Sequence, residues 1–293
     1  MSGSESQVIT QKSASNLALA FVMLPRERRE AMVRLYAFCR EVDDVADEDT
    51  VPVEERRRSL AEWREDVKRV CEGGEGVMPV NRELAEVVRR YGLPFGLFDE
   101  LLMGVEADLD ILRYETYDEV EEYCYRVASV VGLLSIEIFG YVDSGCREYA
   151  VSLGRALQWT NILRDVGNDA KRGRIYLPRE AMMRHGVTEE EIFAGQYSDR
   201  FLALAREIGE RARGYYGEAR RLLPEGDRRR MVAAELMGSV YWRLLSRLER
   251  SGYAVLGEKP QGLSKVHKVW LILRSWVGCC LGGRRSAYGR VDG

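Results

Sequence analysis

Tyr36-Ala37-Phe38-Cys39-Arg40-Glu41-Val42-Asp43-Asp44-Val45-Ala46-Asp47-Glu48 reads as the end of an amphipathic helix that carries acids on its apolar side. Met32, Leu35, Tyr36, Cys39, Val42 and Ala46 recur at helical spacing and define one stripe. At about 100° per residue, Asp43 falls near the middle of that stripe and Asp47 at its edge. The two are four apart, so they stack on one face about 6 Å apart along the axis. Arg40 shares the flank and Asp44 points further out. An ionised aspartate on a core face is costly unless it is paired or meets a cation. A salt bridge to Arg40, or exposure at a fraying helix end, is the commoner explanation of a single such pair.

A second stretch, more than a hundred residues on, repeats the pattern. Cys146, Ala150, Leu153 and Leu157 form an inner stripe that continues into Asn161, Arg164, Asp165 and Asn168. Gln158, Asn161, Asp165 and Asp169 share a broad flank, while Trp159, Ile162, Leu163 and Val166 occupy the back. A helix that is apolar behind and polar within suggests a buried helix facing a polar cavity. Two helices would then each bring an Asp-x-x-x-Asp pair inward. Hard oxygen ligands of this kind suit Mg²⁺, which typically bridges a few carboxylates to substrate phosphates. Arg40, Arg164, Arg172 and Arg174 could bond the same phosphate oxygens. For Arg172 and Arg174 a solvated loop is an equal alternative.

Outward from these stretches, helices are expected almost throughout. They run at about 26–48, 52–71, 81–91, 94–112, 116–139 and 146–169, with a short one after Pro178. Thr188 and Glu191 form a capping box that opens another. Long helices follow at about 200–223, 227–252 and 264–281. Gly73-Gly74-Glu75-Gly76 follows no strand and reads as a connector rather than a phosphate loop. There is no repeat, low-complexity linker or convincing strand pair. The expectation is a single all-α domain over 1–293, a helical bundle around a central cavity, with loose tails at 1–12 and 283–293. Glu106, Asp108 and Asp110 are expected at an exposed helix end.

Composition narrows the classes. The chain has 293 residues, 46% hydrophobic and 31% charged, which excludes a disordered protein. Lys+Arg 44 against Asp+Glu 47 leaves a net charge of -3, so nucleic acid is not the expected partner. Cys39, Cys71, Cys124, Cys146, Cys279 and Cys280 form no Cys-x-x-Cys pair, and reduced cysteines are expected. Neither a signal peptide nor a transmembrane segment is read, which points to a cytoplasmic location. Near the C-terminus, Lys265, Lys268 and Arg274 lie beside Val269, Trp270, Leu273 and Val277. That face suits peripheral contact with a membrane, or ordinary packing on the bundle. The only histidines, His185 and His267, lack the Glu-x-x-His spacing of a di-iron bundle and are expected at the surface. No nucleophile elbow and no strand-flanked Gly-x-Gly-x-x-Gly is present.

The motifs together resemble the squalene/phytoene synthase family. Tyr36–Glu48 is similar to its first aspartate-rich motif and Gln158–Asp169 to its second. Arg172-Gly173-Arg174-Ile175-Tyr176-Leu177-Pro178 resembles the loop that follows, and Tyr123–Gly132 the central helix. The resemblance spans roughly Ser13 to Trp276. It implies an isoprenoid synthase fold and head-to-head joining of two prenyl diphosphates with Mg²⁺, for which Mn²⁺ could substitute. NADPH enters only if the second half-reaction, to squalene, is performed. Carried over by motif, Asp43, Asp47, Asn161, Asp165 and Asp169 would hold metal. Arg40, Gln158, Asn161, Arg164, Arg174 and Tyr241 would line the diphosphate region, and Tyr123 would sit near the reacting carbons. As bare sequence, Tyr123 and Tyr241 read as core aromatics with satisfied hydroxyls. Ala128, Gly132 and Ser135 recur on one face and either leave a tunnel for prenyl tails or permit close helix packing.

Asp43-Asp44-x-x-Asp47 also fits the chain-elongating prenyltransferases and terpene cyclases, but Asn161…Asp165…Asp169 matches neither of their second motifs. Ser13-Ala14-Ser15-Asn16-Leu17 departs from the family's early aromatic position, so no binding role is assigned there. Arg126–Ile136 and Leu263-Ser264-Lys265…Lys268-Val269-Trp270 look most like bacterial hopanoid-type presqualene diphosphate synthases. The expected reaction joins two farnesyl diphosphates to presqualene diphosphate, and on to squalene if a reductant is used. The alternatives are a phytoene synthase using geranylgeranyl diphosphate and a family-like helical protein that binds or assembles without catalysis.

Overall fold

The computed structural model describes Ser6, residues 21–257 and residues 286–289. Among them the regular elements are helical: α1 (Arg26–Asp47), α2 (Val53–Cys71), α3 (Pro79–Tyr91), α4 (Phe95–Ala107) and α5 (Tyr117–Cys124). After a π-helical turn (Tyr125–Ser129) come α6 (Val130–Phe139), α7 (Gly145–Lys171), α8 (Arg179–His185) and α9 (Glu189–Phe193). α10 (Asp199–Leu222), a 3₁₀ turn (Glu225–Asp227) and α11 (Val232–Arg250) complete them. The expected helix at 264–281 and the early serines lie outside the described residues.

The apolar spacing explains the packing. α7 is buried on two sides, with Trp159, Ile162 and Leu163 on its back and Cys146, Ala150 and Leu153 on its inner stripe. It lies against α10, α6, the π turn and α11. α1 packs on α2, α3 and α6 from the opposite side. The π turn presses so close to α7 that a side chain at Gly154 would stand 2.5 Å from the Ser129 Cα. Two expected helices are interrupted. The one at 94–112 stops at Ala107, and the one at 116–139 contains the π turn, where Val130 N–H reaches back to Tyr125. Capping boxes at Thr116/Glu119 and at the expected Thr188/Glu191 fix two helix starts.

Cys39, Cys71, Cys124 and Cys146 are free thiols. No described helix is long and apolar enough to cross a membrane. The expectation for His185 is corrected: it is half-buried and paired with Glu207 at 2.6 Å. The C-terminal tail is corrected in part, since Tyr288 is wholly buried.

Buried acids also hold loops. The Asp66 carboxylate accepts from Val77 N–H at 2.7 Å, Met78 N–H at 2.9 Å, Asn81 Nδ2 at 2.9 Å and Arg69 at 2.9 Å. It thereby fastens the glycine connector to α2. Burial works against its charge, but these donors hold its pKa below the ordinary value. Its stabilisation is therefore present above about pH 4 and lost as pH falls. Asp66→Ala leaves buried donors unpaired and is expected to cost about 3 kcal/mol in urea unfolding at pH 7. A wild-type midpoint in that variant would contradict the assignment.

Candidate active site

Each acidic pair sits where its helix leaves the packed core. α1 carries Asp43 and Asp47 in its last turns, and α7 carries Asp165 and Asp169 in its own. The loop after α7 is pinned to the segment after α4. Ile175 N–H donates to Leu112 C=O at 3.0 Å, and Arg179 N–H to Tyr114 C=O at 2.9 Å. This pinning carries Arg172 and Arg174 onto α1. Arg172 pairs with Asp47 at 2.9 Å, and Arg174 pairs with the same carboxylate at 3.2 Å. The solvated-loop alternative fails for Arg174, whose side chain is 11% exposed.

Helix-wheel placement of Asp43 in a core-facing stripe is corrected. Its side chain is 51% exposed and pairs with Arg40 at 2.9 Å, and Arg40 also binds Asp44. The stripe at that height meets a hollow rather than a packed neighbour. Protein closes round the hollow, and desolvation with repulsion from Asp47 pushes Asp43 up to about 6. Across it, Asp165 is gripped through both oxygens by Arg164, which also comes within hydrogen-bonding reach of Tyr241 on α11. The Asp169 carboxylate has no hydrogen-bond or ion-pair partner among the described residues, although its main-chain carbonyl accepts from Arg172 N–H and Arg174 N–H at 2.9 Å. Desolvation and the neighbouring Asp165 push it up to about 7, while Arg174 and Arg164 draw it down. The arginines stand between the acids: among the described residues no three acidic, His or Cys groups are close enough to hold an ion by themselves.

Asn161 points to a missing partner. Its Nδ2 donates to Gln158 Oε1 at 3.2 Å, and its Oδ1 is buried without a hydrogen bond among the described residues. An orphaned oxygen one turn from Asp165 suits a cation or a water held by one.

Sequence reading missed the role of Asp108. Glu106 and Asp110 do form ion pairs, with Arg64 at 3.0 Å and Arg57 at 2.8 Å. Asp108 instead turns inward, accepting from Tyr176 Oη at 2.8 Å and Tyr123 Oη at 3.1 Å. Arg174 donates to its main-chain carbonyl at 3.2 Å. Burial lifts Asp108 to about 6, against the opposing pull of both phenols and Arg174. The available signal was its position between buried Val105 and Leu109. Tyr123 stacks on Tyr176 at 5.1 Å and tilts on Tyr114 at 5.5 Å, which satisfies the core-aromatic reading of it.

An apolar cavity of about 100 Å³ lies along α7, its lining reaching Leu157, one turn before Asn161. Ala128, Gly132 and Ser135 line it opposite Tyr149, Leu153 and Leu157, with Met32, Phe139 and Met237 beyond. Tyr123 is not part of this lining. The small residues border the cavity and also permit close packing, because a side chain at Gly132 would stand 3.1 Å from the Ala150 carbonyl oxygen. Asp165 and Tyr149 are sixteen residues apart on α7, so Tyr149 lies about 24 Å along the helix from the acidic pole.

This arrangement, acids and arginines at one end of α7 and an apolar cavity along it, agrees with the sequence comparisons. The family described as Squalene/phytoene synthase matches residues 10–269. The chain belongs to that family. A presqualene diphosphate synthase of Rhodopseudomonas palustris is 36% identical over 261 residues, covering 89% of this chain and 92% of the relative. A phytoene synthase of Mycobacterium tuberculosis is also 36% identical, over 276 residues, covering 92% and 90%. The crystal structure of a dehydrosqualene synthase in complex with ligand matches with a TM-score of 0.83 at 30% identity, over 94% of this chain and 95% of that one. A squalene synthase from Alicyclobacillus acidocaldarius matches at 0.77 and 28%, over 85% and 93%. The all-α isoprenoid synthase fold and prenyltransferase activity of the squalene/phytoene synthase type follow, and the non-catalytic alternative is set aside. The family's substrates are prenyl diphosphates, and divalent metal is its expected cofactor.

Proposed function

We propose that the protein condenses two farnesyl diphosphates head to head to presqualene diphosphate, and reduces that product to squalene only where NADPH supports the second half-reaction. Two of the most similar solved structures, a dehydrosqualene synthase and a squalene synthase, carry the choice of substrate. Phytoene synthesis from geranylgeranyl diphosphate is the second reading, because a phytoene synthase is as similar as a presqualene diphosphate synthase.

Asp43, Asp47, Asp165 and Asp169, with Asn161 Oδ1, are the oxygen donors that would hold Mg²⁺, or Mn²⁺ in its place. Bound there, the ion would neutralise charge on the departing diphosphate. Arg40, Arg164, Arg172 and Arg174 exchange their carboxylate partners for diphosphate oxygens. Gln158 and Tyr241 hold Asn161 and Arg164 in place for that exchange. The cavity at Ala128 and Gly132 keeps water from the allylic cation. Tyr123, whose phenol burial keeps protonated, braces Asp108 and through it the loop that carries Arg174.

Incubation with Mg²⁺ and each diphosphate, with and without NADPH, followed by product masses, tests the reading. A C30 product supports it, and a C40 product from the longer substrate only would move the assignment to phytoene synthesis. No product under any condition would overturn it.

The raised acids set a pH dependence. Asp43 at about 6 and Asp169 at about 7 bind protons more tightly in the native state than the ordinary carboxylate value, about 3.9, allows. In the metal-free protein their stabilising contribution is full below that value and is lost as pH rises through about 7. Mg²⁺ must displace those protons, so the thermal stabilisation it gives should grow from pH 5.5 to pH 8, by roughly one pH unit's worth of affinity per proton released. Melting curves with and without Mg²⁺ check this, and an equal gain at both pH values would refute it.

A further inference from the structure

The end of the chain returns to the wall of the apolar cavity. Tyr288 is wholly buried, although residues 286–289 lie in a stretch that reads as a polar tail. Its hydroxyl donates to Glu235 Oε1, the same oxygen that accepts from Tyr149 Oη at 2.8 Å. The Tyr288 ring meets Tyr216 edge-on at 5.6 Å. Arg220 donates to its carbonyl at 3.3 Å.

The body of the protein is shaped for this residue. A side chain at Gly238 would stand 2.5 Å from the Tyr288 ring, so α11 admits the ring only because that position is glycine. Gly289 follows with a φ of 65° and would also collide with the Tyr216 carbonyl if it bore a side chain. Tyr149 and Met237 connect this seat to the cavity, since both belong to its lining. Tyr149 lies sixteen residues from Asp165 along α7, whereas Met237 lies one turn from Tyr241 on α11.

We infer that Ser286–Gly289 form a wedge that sets the depth of the cavity, and with it the length of prenyl tail accepted, by locking Tyr149 and the start of α11 through Glu235. The inference rests on the tail occupying this cavity, as proposed above. Tyr288 is thus a positioning residue. A wall held from behind by two phenol hydrogen bonds and a filled ring seat cannot yield to a longer chain. Loss of the wedge frees Tyr149 to turn aside and lets one more isoprene unit enter.

Isothermal titration of the full-length protein with the unreactive thiolodiphosphate analogues of farnesyl and geranylgeranyl diphosphate, with Mg²⁺, reads the depth directly. Tyr288→Ala is expected to shift the ratio of the two dissociation constants about tenfold toward the longer analogue. Tyr288→Phe and Glu235→Gln keep the shape and remove one hydrogen-bond partner, and should shift the ratio the same way by less. They carry the test if Tyr288→Ala fails to melt cooperatively. Ratios that stay within about twofold of wild type in the folded variants overturn the inference. Because the analogues do not react, failure of the wild type to condense prenyl diphosphates would strike the proposed reaction without altering this reading.

Discussion

Asp165→Asn is expected to fold normally and to form product at roughly one thousandth of the wild-type rate. The substitution keeps the size of the side chain and removes its charge. Its surroundings show why the fold survives. The back of α7 remains buried through Trp159, Ile162 and Leu163, and the Asp165 carboxylate itself faces the hollow with 25% of its surface open. The rate falls for two reasons that act together. One of the four acids available to a cation is gone, and Arg164 loses the two-point partner that holds its guanidinium in position. Asp43→Asn should behave alike, since its present partner is an exposed arginine and its packing role is small. Product formation at saturating substrate, beside a circular-dichroism melt, separates rate from folding. Near-normal turnover in either variant would remove these acids from the reaction.

Arg174→Ala is expected to reduce both rate and stability, and the stability loss should depend on pH. Arg174 neutralises Asp47, donates to the Asp108 carbonyl and draws down the pKa of Asp169. Without it, three half-buried acids keep only half-exposed Arg172 on Asp47 and the pull of Arg164 on Asp169. Breaking such a bridge costs about 3 kcal/mol at pH 8, where the acids are ionised. At pH 5.5 protonation of Asp169 and Asp108 relieves the repulsion, and the loss should shrink by more than half. Arg172→Ala, with its side chain 46% exposed, should cost below about 1 kcal/mol at either pH. Urea unfolding of the metal-free proteins at both pH values checks this. Equal losses at the two values would show that Arg174 is a packing residue only.

Most of the fold was readable because burial writes itself into helical spacing. Trp159, Ile162 and Leu163 on one side of α7 and Ala150 and Leu153 on the other could hardly be anything but a central helix. Spacing cannot tell a packed interior from an internal void, which is why Asp43 was placed among side chains and stands half open. Pairing across the chain was equally invisible. Nothing in the order of residues connects Asp108 to Tyr176, or Arg174 to Asp47. Those contacts depend on two loops pinned together by main-chain hydrogen bonds that any sequence could make. Tyr288 escaped notice because a single aromatic among Gly, Arg and Ser carries no periodicity, and its seat is defined by an absent side chain at Gly238. The candidate metal ligands were recognisable as a set. The arginines that occupy them in the free protein were recognisable only as neighbours.

The π-helical turn between α5 and α6 gives the chain one residue more than a straight α-helix would hold there. That surplus advances the phase of everything downstream by about a quarter turn. Tyr123, before it, can therefore address the carboxylate of Asp108 while Ala128 and Gly132 address the hollow. No exchange of one amino acid for another restores the lost register. Only a change in chain length would, so a one-residue deletion in this stretch would turn either Tyr123 from Asp108 or Ala128 and Gly132 from the cavity.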